Sequence, residues 1–99
     1  MNENHSDSDT ARVDFSTVAT EQDVHEIFAR TLRFPHFYGH NWNAFWDVLT
    51  GFGCFPKKLI LENTEHLRRA VPDAYDQLQQ CFADCEREYP YFAPFVVWQ

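Results

Sequence analysis

A chain of 99 residues has room for one domain and one core, and a domain of this size buries roughly 60–68% of its unfolded surface. Its 44% apolar and 17% aromatic residues exclude wholesale disorder, while ten phenylalanines and three tryptophans exceed what so small a core needs, so some are expected outside as binding anchors. Fifteen acids against eight bases give a formal charge of −7, which argues against nucleic acid and anionic membrane as partners and favours a cationic one, although solubility alone also accounts for acidity.

Residues 1–10 carry a polar run from Asn2 to Thr10 and are expected to be a frayed tail ahead of a domain spanning residues 11–99. Arg12 to Val18 alternates, with Val13, Phe15 and Val18 apolar, and reads as a first strand. Thr20 offers an N-cap with Asp23 three residues on, a variant of the capping box. Val24, Ile27, Phe28 and Leu32 follow at helical spacing, predicting a helix from about Glu21 to Leu32. Pro35 stops it by pushing Phe34 out of helical geometry. Gly39 marks a turn expected to need positive φ. Asn41 can cap a helix from Trp42 to about Thr50, which Gly51 suits as an end.

Lys58 to Leu61, after Pro56, reads as a second strand, and Thr64 to Arg69 as one helical turn or two. Pro72 opens a longer helix with Tyr75, Leu78, Cys81, Phe82 and Cys85 on its apolar stripe, ending before Pro90. Phe95 to Trp98 is a third strand. Strands joined through helical crossovers call for a parallel sheet. The fold class expected is therefore α/β, a two-layer domain with a three-stranded parallel sheet packed against about four helices. Cys54, Cys81 and Cys85 are odd in number and lack disulfide-framework spacing, and no secretory or membrane-length apolar run occurs. Reduced thiols in a cytoplasmic protein fit best.

On the helix beginning at Trp42, residues Trp42, Phe45 and Leu49 should face the core. Asn43 and Asp47 fall four apart on another face with Trp46 beside them, so an acid, an amide and an indole share one exposed patch. The loop of Pro35, His36, Phe37 and Tyr38 brings aromatics to the helix N-terminus, and Gly51 and Phe52 follow at its other end.

Pro35, Tyr38, Gly39, Asn41, Ala44, Trp46, Asp47, Leu49, Thr50 and Gly51 stand at the spacing of the core signature of the barstar family, which this chain resembles from about Arg12 to Trp98. The spacing back to Asp23 and His25 and the pair Phe55-Pro56 agree as well. The resemblance implies an inhibitor that lays this helix and the preceding loop over the active site of a basic, barnase-type ribonuclease. Asp47 would then occupy the phosphate pocket and meet arginines and the catalytic histidine, on which Phe37 would stack. His40, Asn43, Trp46, Gly51 and Phe52 would belong to the same contact surface, with Asp84 on the long helix near a further acidic contact. Asn43 and Phe37 depart from the founding member, which has an aspartate and a tyrosine there. A related but different ribonuclease is therefore expected as partner. The free chain is expected to be a monomer.

Blander readings stand beside these. Asp47 can be a solvated acid on a helix face, Trp46 can complete the core, and Asn41 serves best as a cap. His36 and His40 invite an acid/base pair, but no lysine or arginine accompanies them to bind a phosphate. Cys81 and Cys85 with His25 or His66 could hold a metal, yet both cysteines sit on an apolar stripe and read better as core thiols. Neither enzyme activity nor a cofactor is expected. Three functions remain: protection of the cell from its own secreted ribonuclease, immunity to a delivered ribonuclease toxin, or a non-inhibitory interaction module.

Overall fold

The computed structural model of the protein describes residues 9–99. In chain order the elements are β1 (Thr10–Asp14), α1 (Glu21–Leu32), α2 (Trp42–Gly51), β2 (Lys58–Glu62), α3 (Thr64–Ala70), α4 (Pro72–Glu88) and β3 (Phe95–Trp98). The strands form one parallel sheet in the order β1-β2-β3, with Val13 opposite Leu61 and Leu61 opposite Trp98. Period-two alternation then sorts the sheet into two faces. Val13, Leu59, Leu61 and Trp98 turn to the helical layer, while Arg12, Ile60 and Val97 share the other face. The α/β class and the three-stranded parallel sheet with four helices agree with expectation. No helix among the described residues is long and apolar enough to cross a membrane.

The first strand is displaced from its predicted bounds. It begins at Thr10 and ends at Asp14, because the Asp14 carboxylate accepts from both the N–H (2.9 Å) and the hydroxyl (3.1 Å) of Ser16 and turns the chain out of the ladder. Phe15 and Val18 are still buried, so their apolar character reports core and not strand. The frayed tail was expected over residues 1–10. Residues 1–8 lie outside the described residues, whereas Asp9 and Thr10 join the sheet edge, the Asp9 carbonyl accepting from Lys58 at 2.9 Å.

Local chemistry starts and stops the helices. Thr20 and Asp23 complete the capping box of α1. α1 ends at Leu32 because Arg33 turns left-handed (φ 56°), letting the Phe34 N–H reach back to the Ala29 carbonyl at 3.0 Å. The stop therefore precedes Pro35 and belongs to Arg33. Thr64 ties α3 to the end of the sheet, its N–H and hydroxyl donating to the Gln99 carbonyl at 2.8 and 2.7 Å.

At the centre of the helical layer stands Phe45 of α2, fully buried. Its ring meets Phe28 (5.0 Å, 78°), Phe55 (5.7 Å, 81°) and Phe82 (6.0 Å, 82°) edge-on. Such edge-to-face pairs add to the burial of the ring itself. Truncating a phenylalanine in this setting to alanine costs about 3–5 kcal/mol. The consequence for the surface is direct: with Phe45, Val48 and Leu49 locked inward, α2 cannot roll, and its opposite face is fixed.

Candidate functional site

The site is built outward from α2. Asn41 caps the helix, its Oδ1 accepting from the Ala44 N–H at 2.8 Å while its Nδ2 donates to the Gly39 carbonyl at 3.2 Å. Here a sequence expectation fails: Gly39 has no positive φ, and the left-handed residue is its neighbour His40, at φ 53°. His40 is held there by its own ring, whose Nδ1 lies 3.0 Å from the Tyr38 carbonyl. Gly39 serves closeness instead, since a Cβ at that position would come within 3.2 Å of Asn41 Nδ2. At the other end Gly51 is helical, and Gly53 supplies the left-handed turn (φ 68°).

The loop before α2 splits two adjacent aromatics between inside and outside. The Tyr38 N–H donates to the Pro35 carbonyl at 2.9 Å, a tight turn that leaves Phe37 67% exposed and buries Tyr38. Tyr38 is anchored from beneath by His25 of α1, with Oη and Nδ1 2.6 Å apart. His25 is itself buried, against the Trp42 ring at 4.5 Å, and its Nε2 faces Glu21 at 3.8 Å. That placement assigns the proton to Nε2, so Nδ1 accepts from the Tyr38 hydroxyl. Burial lowers the basicity of His25, partly countered by Glu21, and burial likewise raises the pKa of the Tyr38 hydroxyl. Both groups are therefore neutral at pH 7, and their bond is structural.

Phe37, Asp47 and Phe52 come together. They line a hollow of about 290 Å³ floored by Tyr38, Gly39, Ala44 and Val48, and the two phenylalanine rings stand 5.9 Å apart at 59°. An exposed acid thus borders a pocket walled by exposed rings. Asn43 is exposed one turn before Asp47. Trp46 is not fully displayed: it is half-buried against the core with Tyr89 6.4 Å away, and its carbonyl accepts from the Thr50 hydroxyl at 2.7 Å. Gly51 is exposed, with nothing within 4 Å of where its Cβ would stand.

Asp84 lies on α4 outside this hollow and is already engaged by Arg87 (2.7 Å) and Gln80 (2.9 Å). Those bonds, the Arg87 one foremost, hold its carboxyl below the usual range. His66 Nε2 lies 2.9 Å from the Val18 carbonyl, and Cys81 and Cys85 are buried in the core. Burial, with Asp84 and Cys85 nearby, pushes the Cys81 thiol up to about 11. It is a thiol and not a thiolate.

Sequence reasoning passed over two features. The His25–Tyr38 bond joins residues whose partnership has no periodic signal. The exposed run Tyr89 to Phe92 has a compositional signal instead, since aromatics in a proline-containing loop between helix and strand have no core face to fill.

The family model described as barstar (barnase inhibitor) matches residues 8–97. The protein belongs to the barstar family. The match takes in every element of this barstar-family chain up to Val97 of β3, the α2 site included. The chain is also similar to a Bacillus subtilis (strain 168) protein named as a candidate ribonuclease inhibitor, YrdF, being 31% identical over 65 residues, 66% of this chain and 71% of the relative.

Proposed function

We propose that this barstar-family protein inhibits a basic ribonuclease of the barnase type by covering its active site with the outward face of α2 and the loop before it. Asp47 takes the place of the substrate phosphate. The observation that carries the reading is the exposed Asp47 on the rim of the hollow that Phe37 and Phe52 also line. The family description as barnase inhibitor and the name of the Bacillus subtilis relative support it.

A carboxylate on a helix that cannot roll accepts charge-assisted hydrogen bonds from arginine as a phosphate oxygen does, without reorganising on contact. The rings beside it exclude water from the pair and strengthen it. A net charge of −7 draws a cationic enzyme in and accelerates encounter. The chain's part is occlusion and not chemistry. His40 and Asn43 border the contact, and the absence of a carboxylate at Asn43 and of a hydroxyl at Phe37 tunes it to an enzyme related to barnase but different from it. The free inhibitor is a cytoplasmic monomer, its three cysteines reduced.

Titrating the purified protein into activity assays of a panel of basic, secreted ribonucleases of the barnase type tests the reading. Activity of the cognate enzyme should fall to zero at one equivalent. Full activity of every enzyme at excess inhibitor would sink it.

A further inference from the structure

A second aromatic feature adjoins α2 on the side away from Phe37. Beyond the end of α4, the N–H groups of Phe92 and Ala93 both donate to the Tyr89 carbonyl, at 3.2 and 3.0 Å, and close a tight turn around Pro90 and Tyr91. Tyr89 and Phe92 stack at 5.1 Å and 23° across its base, and Tyr91 at its tip is fully exposed. The turn is continuous with the α2 surface through two contacts. Tyr89 stands 6.4 Å from Trp46, and Phe92 helps line a hollow of about 270 Å³ with Leu49, Gly51 and Phe55.

Nothing in the core requires these rings. Tyr91 buries no surface and Phe92 is 51% exposed, yet the backbone bonds fix the turn that carries both, and Phe92 stacks on Tyr89. Their surroundings are acidic: Glu86 and Glu88 are exposed on the last turn of α4, where Arg87, the one base, is shared between Asp84 at 2.7 Å and Glu88 at 3.8 Å. Exposed rings at the acidic end of a helix suit a guanidinium or ammonium group, which stacks on a ring face while the surrounding carboxylates attract its charge.

We infer that the Tyr89–Phe92 turn is a second contact lobe for the same basic ribonuclease, gripping arginine or lysine side chains that lie outside its catalytic cleft. The inference rests on the ribonuclease reading above. Its occupant follows from charge complementarity and from continuity with the α2 surface. It assigns the turn a share in selecting among ribonucleases whose catalytic pockets are alike.

The test measures association and dissociation rates for the parent, Tyr91→Ala, Tyr91→Ala/Phe92→Ala and Asp47→Ala against purified ribonucleases of the barnase type. The double variant is expected to dissociate roughly tenfold faster or more with its association rate and salt dependence unchanged, because the rings carry no charge. Tyr91→Ala should give part of that effect, and Tyr91→Phe should restore the parent rate. An unchanged thermal midpoint in Tyr91→Ala separates lost contact from lost fold. Parent-like dissociation of the double variant, in a pair that Asp47→Ala weakens, overturns this inference alone. Absence of binding by the parent to every enzyme overturns the ribonuclease reading and this inference with it. Concentration-dependent dimerisation abolished by the double variant, without loss of ribonuclease affinity, would give the turn to a second copy of this chain and overturn the inference too.

Discussion

Phe37 and Phe52 hold their ring centroids 5.9 Å apart at the hollow that Asp47 helps to line, joining the loop before α2 to the residue that follows it. Neither ring serves the core, at 67% and 49% exposure. Phe37→Ala should therefore leave the thermal midpoint within error of the parent while weakening ribonuclease binding by about 1–2 kcal/mol, or roughly five- to thirtyfold. Isothermal titration calorimetry beside a melting curve reads both.

Asp47→Ala should cost at least about 2 kcal/mol of binding, roughly thirtyfold, with folding nearly intact because the carboxylate is exposed. Raising salt from 50 to 500 mM should slow association of the parent far more than its dissociation. Stopped-flow kinetics give both rates, and an association rate indifferent to salt would argue against steering.

Asn43→Asp probes the departure at that position. The first turn of α2 contains no acid, so an aspartate there should stabilise the helix by about 0.3–1 kcal/mol through its dipole. Repulsion from Asp47 four residues on offsets roughly 0.2–0.5 kcal/mol of that. Association with a cationic enzyme should quicken at low salt. Slower association would show that the partner presents a negative group opposite Asn43.

His25 makes stability depend on pH. Its folded-state basicity is depressed, chiefly by burial, so the unfolded chain binds the proton more readily. Stability then rises with pH between the folded-state value and the ordinary value of about 6.5, and falls as pH drops through that window. Melting midpoints should decline from pH 7.5 to 5.5. His25→Gln should be less stable at pH 7.5 but show a flatter slope. An equal slope in the variant would assign the effect to other groups.

Thr20→Ala should lower folding stability by about 1 kcal/mol, since it removes the side chain that accepts from the Asp23 N–H at 3.1 Å. Urea denaturation with an unchanged m-value would show the loss, and ribonuclease binding should be unaffected.

Elements defined by strong local rules were legible in the sequence. The cap at Thr20, the cap at Asn41 and Pro72 at a helix start each rest on chemistry contained within four residues, and α1, α2 and α4 appear where those signals put them. The parallel sheet followed from the spacing of three apolar runs. What the sequence hid depends on distant partners or on two conformations of nearly equal cost. Phe15 and Val18 looked like strand because burial and strand leave the same alternation. Gly39 looked like the left-handed residue because glycine tolerates that region most easily, but the ring of His40 takes up the Tyr38 carbonyl and moves the strain one residue along. At the site, Asp47 and Asn43 could be placed outward from helical periodicity alone. The half-burial of Trp46 could not, since it depends on Tyr89 at the far end of α4.

Tyr38 points inward to His25 while Phe37, the next residue back, points into solvent. Along this turn, under the proposed function, recognition and folding are encoded by separate neighbouring codons. On that proposal, drift at position 37 would retarget the protein from one enzyme to another without passing through an unstable intermediate, while position 38 is tied to a histidine on another helix and can change only in concert with it. An arms race with a changing ribonuclease would leave its record at Phe37, Asn43 and Phe52 and spare Tyr38 and Phe45.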